Sequence, residues 1–218
     1  MQQTYHPRGT TWLGRRRDHF RETRLFDLYK RFSALGEFLW WKLRGSPGPK
    51  VPHFVKQRTV RQYARQFKVQ VLVETGTNFG QMITATQDLF RDLYSIELDE
   101  WRYQLAQRKF GGPQVHPLLG DSGQVLPELI QKISEPCLFW LDGHDGDVSA
   151  PIRTELDAIL RHSVPGHVVL IDDARWFDGR GDYPTVDELR AWAARRYPGG
   201  ATLEVRDDII RIHPAETS

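Results

Sequence analysis

Hydrophobic positions recur along this chain with two different textures, and the change falls near residue 68. Between Arg24 and Leu43, the residues Leu25, Leu28, Phe32, Leu35, Leu39 and Leu43 follow one another at intervals of three and four, the spacing of one face of an amphipathic helix. The run Gly45-Ser46-Pro47-Gly48-Pro49 stops that helix. Val60, Tyr63 and Phe67 mark one face of a second helix over Val55–Phe67. Beyond Lys68, short apolar runs alternate with helical stretches. The runs are Val69–Glu74, Leu93–Glu97, Val115–Leu119, Cys137–Asp142 and His167–Asp172. The helical stretches lie near Gln81–Arg91, Glu100–Phe110, Gly123–Ile133, Pro151–Arg161 and Thr185–Arg196. Near-continuous apolar strands separated by helices predict βαβ units and a parallel sheet covered on both faces. Leu203–Val205 and Ile209–Ile212, around Asp207-Asp208, predict a closing hairpin. The fold class is α/β, with a helical extension over residues 1–68 and one larger domain over residues 69–218.

Charge sharpens that division. The formal net charge of the 218 residues is +2, but residues 1–70 carry sixteen Lys/Arg against four Asp/Glu, and the remainder fourteen against twenty-four. The basic part therefore faces an anionic partner or the chain's own acidic body. With 39% hydrophobic and 27% charged residues the chain has material for a core, which excludes disorder. One cysteine, Cys137, excludes a disulfide framework and a multi-cysteine zinc site. No apolar run reaches the roughly 18 residues that cross a bilayer, and the arginine-rich start lacks a secretory apolar core. A cytoplasmic location is expected.

Chemistry concentrates where strands end. Val73-Glu74-Thr75-Gly76-Thr77-Asn78-Phe79-Gly80 is a strand closing on an acid, then a glycine-containing turn into a helix. Gly76 lets a ligand approach the backbone, and Gly80 lets the helix pack near the strand. Glu97 follows 23 positions after Glu74, at the tip of the second strand, where a carboxylate holds a ribose diol in nucleotide-binding folds. Asp99 reads as a helix cap. The third strand leads into Gly120-Asp121-Ser122, the fourth into Asp142-Gly143-His144, and the fifth into Asp172-Asp173-Ala174-Arg175. A row of acids at the carboxyl ends of a parallel sheet is costly crowding unless a cation is bound there. Among the eight histidines, His144 alone gains weight from a strand-end position, as a general base that titrates near neutrality. His162, His167 and His213 read as structural, and Cys137 as a buried small hydrophobe.

The order ETGTxxG, SIELD, GDS, FWLDGH and VVLIDDAR resembles the class I S-adenosylmethionine-dependent methyltransferases, over about Val69 to Pro214. That resemblance implies a Rossmann-like, seven-stranded, mostly parallel sheet with helices on both faces and an antiparallel last strand. It implies that Glu74, Gly76, Thr77, Asn78 and Gly80 shape the pocket for the methionine part of S-adenosyl-L-methionine. Glu97 would bind the ribose hydroxyls, and Asp121 with Ser122 would sit against the adenine. Asn78 stands where many members carry another glycine. The acids after the fourth and fifth strands resemble the metal-dependent O-methyltransferases of the catechol and macrolide-sugar types. On that resemblance Asp142, Asp172 and Asp173 would hold Mg²⁺, whose hard oxygen preference suits them. Asp142 and His144 would then stand at the catalytic centre. The competing assignment pairs Asp172 with Arg175, or makes it a helix cap.

The activity expected is transfer of a methyl group to an oxygen of a small molecule, a sugar or a secondary metabolite. Two other readings stay open: a nicotinamide-dependent oxidoreductase, whose usual Gly-x-Gly-x-x-Gly is missing here, and a non-catalytic nucleotide-binding module on the same fold. For the basic N-terminal region, docking on the body or on a second subunit as a homodimer ranks first. Peripheral contact with an anionic membrane ranks second. Nucleic acid is disfavoured, because the acidic half would repel a phosphate backbone.

Overall fold

The computed structural model describes residues 20–21, 23–45, 51–143, 150–197 and 199–215. Helix α1 (Arg24–Leu43) begins at Thr23, whose side chain accepts a hydrogen bond from the Phe26 backbone N–H. It is followed by α2 (His53–Phe67) and β1 (Val71–Thr75). A short α3 (Gln81–Thr86) passes through a 3₁₀ turn (Gln87–Leu89) into β2 (Asp92–Glu97). The helix expected over Gln81–Arg91 is therefore one α-helical piece and one tighter turn. Next come α4 (Glu100–Phe110), β3 (Val115–Leu119), α5 (Ser122–Ile130), β4 (Cys137–Leu141), α6 (Ile152–Arg161) and β5 (Val168–Ile171). A 3₁₀ turn (Ala174–Trp176), α7 (Val186–Arg196), β6 (Ala201–Arg206) and β7 (Ile209–Pro214) complete the chain.

The strands form one seven-stranded sheet in the order β3-β2-β1-β4-β5-β7-β6. β1 to β5 are mutually parallel, and β7 runs antiparallel between β5 and β6. The seven-stranded, Rossmann-like sheet with an antiparallel last strand is thus present. Asp207 and Asp208, both with positive φ, make the two-residue turn that closes the β6–β7 hairpin. Pro117 falls on β3, an edge strand, where a missing backbone donor is tolerated.

Alternate residues of each buried strand feed different cores, which is why the strand sequences lack a polar alternation. Val71, Val73, Phe139, Leu141, Val169 and Ile171 face Leu126, Leu156 and Leu189 of α5, α6 and α7. Leu72, Leu138, Trp140, Val168 and Leu170 face the opposite way, against Ile83 of α3 and Val60, Tyr63 and Ala64 of α2. Full burial of each such side chain contributes about 1.5–3 kcal/mol. Helix α2 therefore closes one face of the sheet, although its charge groups it with the N-terminal extension. Helix α1 differs: Phe26 and Ala34 are buried, while Leu25, Leu28, Phe32, Leu35, Leu39 and Leu43 are exposed. No helix among the described residues is long and apolar enough to cross a membrane.

Candidate active site

Register brings the acids together. Glu74 pairs across the β1–β2 ladder with Ser95, and Leu141 pairs across the β4–β5 ladder with Ile171. The ladder continues past the strand ends: Asp142 N–H donates to the Thr75 carbonyl (3.1 Å) and Asp172 N–H to the Leu141 carbonyl (3.0 Å). Glu74, Glu97, Asp142 and Asp172 thus finish four strands of the parallel part at the same end, where open α/β sheets bind ligands.

On the β1–β2 side the acids accept their hydrogen bonds from neutral donors, with the Arg102 guanidinium 4.0 Å from Glu97 Oε1. Glu74 is buried beneath the turn and accepts from Ser95 Oγ (2.6 Å), which lies 2.7 Å from Thr77 Oγ1. Burial raises the Glu74 pKa to about 8, against the opposing Ser95 hydrogen bond, so its carboxyl group is largely protonated at neutral pH. Glu74 and Thr77 therefore hold the turn from below. Glu97 stands higher, one oxygen accepting from the Asn78 N–H (2.8 Å) and the other from the Asp99 N–H (2.9 Å). Burial raises its pKa and these two donors oppose the shift. Each oxygen keeps a lone pair for a further donor such as a ribose hydroxyl.

The glycines of the turn have identifiable neighbours. A Cβ on Gly76, at φ +87°, would stand 2.4 Å from the Asp142 carbonyl oxygen, so this glycine seams β1 to the end of β4. A Cβ on Gly80, at φ +70°, would meet the Phe110 ring of α4 at 2.2 Å. Asn78 adopts φ +49°, the left-handed conformation that asparagine tolerates better than most residues, which explains how it stands in for a glycine. Asp121 caps α5, accepting from the Gly123 N–H (2.8 Å), while Ser122 is buried at the first position of that helix.

On the β4–β5 side the acids meet cations. Asp142, Asp172 and Asp173 each offer a carboxylate oxygen, and these atoms lie within 4.8 Å of one another. Asp172 is fully buried, its Oδ2 paired with the Lys56 ammonium and its Oδ1 without a hydrogen-bond partner. Asp173, at φ +54°, pairs with Arg175 (2.8 Å), which also holds Asp208. The expected Arg175 partner is thus Asp173, and Asp172 belongs to Lys56. Burial, then the neighbouring Asp172 carboxylate, raise the Asp142 pKa well above the usual range, with Lys56 opposing. The Lys56 pKa is also raised: burial, the largest single influence, works against this, and Asp172, Asp142 and Asp173 together outweigh it. An all-oxygen donor set with a buried orphan oxygen fits a hard divalent ion. Cys137 is no ligand here, because it begins β4 at the end opposite the acids.

Sequence patterns missed three residues. Lys56 sits on α2, outside every strand-end motif, and no local signal marks it. His53, three residues earlier on the same helix, lies close enough to Lys56 and Asp172 to feel both, and burial followed by Lys56 lowers its pKa. Glu155 of α6 is fully buried with its pKa raised by burial to about 7, opposed by the hydroxyls of Ser122 and Thr75. His144 lies outside the described residues. His162 and His167 stack as a buried pair, with the Cys137 N–H donating to His167 Nδ1 (3.0 Å), a tie at the starting ends of β4 and β5. A surface hollow of about 610 Å³ between α6 and α7, lined by Asp157, Trp192 and Arg196 among others, contains none of the site residues.

No protein-family model and no curated protein sequence matches the chain. Solved structures do. An O-methyltransferase from Bacillus cereus in complex with S-adenosylhomocysteine superimposes with a TM-score of 0.52 at 17% identity, over 83% of this chain and 90% of that one. The chain has the fold of the S-adenosylmethionine-dependent O-methyltransferases. A methyltransferase from Podospora anserina, bound to S-adenosylhomocysteine, gives a TM-score of 0.51 at 18% identity, over 84% of this chain and 88% of that one. MycE, the methyltransferase of mycinamycin biosynthesis solved with Mg, S-adenosylhomocysteine and mycinamycin VI, gives 0.50 at 16% identity, over 72% of this chain and 48% of its own. At these identities the likeness is one of O-methyltransferase fold.

Proposed function

We propose that this protein is an S-adenosylmethionine-dependent methyltransferase that methylates an oxygen of a small-molecule acceptor, a sugar or a secondary metabolite, with assistance from Mg²⁺. The observation that carries this reading is the pairing, at one end of the sheet, of a donor-satisfied Glu97 beside a glycine turn with the Asp142/Asp172/Asp173 cluster. The first suits a ribose diol and the second a hard cation. The fold shared with S-adenosylhomocysteine-bound methyltransferases favours this over a nicotinamide-dependent oxidoreductase.

Bound in this pocket, S-adenosylmethionine supplies an electrophilic methyl group on a sulfonium. Glu97 would orient the ribose, and the Gly76–Gly80 turn would give the methionine part a close backbone wall. Asp142, Asp172 and Asp173 would hold the divalent ion. That ion, when bound, supplies Lewis acidity that lowers the pKa of an acceptor hydroxyl. Methyl transfer to the acceptor oxygen would release the hydroxyl proton, which a base must take. His144 is proposed for that role on its position after β4. The exposed apolar side of α1 supports the reading that this helix meets an apolar partner, a second copy of the chain first among them.

Calorimetric titration with S-adenosylhomocysteine and with NAD separates the methyltransferase from the oxidoreductase, and only the former ligand is expected to bind. With an acceptor in hand, turnover should vanish in EDTA and return with Mg²⁺. Full activity in chelator would remove the metal from the mechanism and leave the methyl transfer standing.

A further inference from the structure

We propose that the Lys56 ammonium is a resident counter-ion that competes with a divalent cation for Asp172, so that helix α2 and the ion neutralise the site in turn. This rests on the reading of Asp142, Asp172 and Asp173 as a metal site. Asp172 is buried on β5's end with one oxygen taken by Lys56 and the other without a donor outside the acid cluster, where the Asp142 carboxyl is its hydrogen-bonding neighbour. Such a half-satisfied carboxylate is costly, and a second cation-seeking oxygen beside Asp142 and Asp173 is what an incoming ion would use. Arg175 does not reach Asp172: it pairs with Asp173 and Asp208, so Lys56 is the cation in contact with the buried carboxylate.

An ion touching Asp172 and Asp142 would lie within a few ångströms of the ammonium. Two positive charges so close, in a buried setting, repel strongly even after screening. Either the ion binds weakly or the ammonium leaves. Leaving is feasible, because the Lys56 side chain is 14% exposed and swings on a flexible four-carbon stem. Helix α2 itself is anchored independently by Val60, Tyr63 and Ala64 in the core. The exchange therefore needs a side-chain rotation and no movement of the helix.

The test is a Mn²⁺ titration of the full chain at one neutral pH and ionic strength, with free Mn²⁺ read by electron paramagnetic resonance. Lys56→Gln removes the charge and keeps a hydrogen-bond donor for Asp172; it carries the test if the harsher Lys56→Met does not fold. Lys56→Gln should bind Mn²⁺ at least tenfold more tightly than wild type, about 1.4 kcal/mol. Lys56→Arg should stay close to wild type, and adding Asp172→Asn to Lys56→Gln should abolish the gain. Equal or weaker binding by Lys56→Gln, with wild type still binding, overturns the competition and leaves the metal site intact. No Mn²⁺ bound by either protein overturns both.

Discussion

The two ends of the acid row solve the same problem in opposite ways. Glu74 and Glu97 on β1 and β2 accept their hydrogen bonds from a serine hydroxyl and backbone amides, with one guanidinium, that of Arg102, standing off Glu97 at 4.0 Å. Asp172 and Asp173 on β5 are held by Lys56 and Arg175. Neutral donors leave a carboxylate with acceptor capacity for hydroxyls, whereas a cation in contact neutralises it and marks a place where another cation can stand. Residue type alone is therefore a poor guide to what a strand-end acid binds; what its oxygens already accept is the better one.

The largest effect should come from the seam between the halves. Gly76→Ala places a methyl group against the Asp142 carbonyl in a positive-φ conformation, which should destabilise the fold by about 3–4 kcal/mol and weaken ligand binding on both sides. A urea midpoint unchanged from wild type would break the idea of a shared seam.

Glu74 sharpens the contrast through pH. Its native pKa near 8 lies above the ordinary 4.5, so the folded state keeps a proton that the unfolded chain has lost. Stability from this group is present at low pH and declines as pH rises from about 4.5 to about 8, by roughly 1.4 kcal/mol per unit at most. Glu155, at about 7, adds to the same trend. Glu74→Gln mimics the protonated form and should flatten this decline, with a gain of up to about 4 kcal/mol near pH 8 in chemical denaturation. A variant whose pH profile parallels wild type would show that Glu74 does not titrate in this range.

Glu97→Ala should weaken S-adenosylhomocysteine by about 1–3 kcal/mol while leaving Mn²⁺ affinity unchanged, because its amide partners serve only the β1–β2 side. Calorimetry with equal losses of both ligands would erase the distinction between the two sides. The smallest effect is expected at Phe26 of α1, which packs edge-on against Phe79 of the glycine turn at 5.6 Å between ring centroids. Phe26→Ala should lower S-adenosylhomocysteine affinity by about two- to fivefold, roughly 0.5–1 kcal/mol. No change would mean that α1 leans on the turn without steadying it.

Local sequence was enough for the α/β class, the closing hairpin at Asp207-Asp208 and the strand-end positions of Glu74, Glu97, Asp142 and Asp172. These are local matters: apolar runs of strand length, helical spacing and turn residues report on neighbours in the chain. Even the left-handed Asn78 was visible as a departure from glycine, though only its backbone angle explains why asparagine serves there. Tertiary structure alone decided the rest. Lys56 and Asp172 are 116 residues apart, and their contact follows from α2 packing its Val60, Tyr63 and Ala64 face on the sheet. The same packing attaches a helix of the basic segment to the acidic body, which net charge suggested but could not locate. Burial, likewise, raised the pKa of Glu74, Glu155 and Glu97 alike, and only at Glu97 do two backbone amides and Arg102 oppose it. Desolvation depends on what surrounds a group in space, and no spacing along the chain records that.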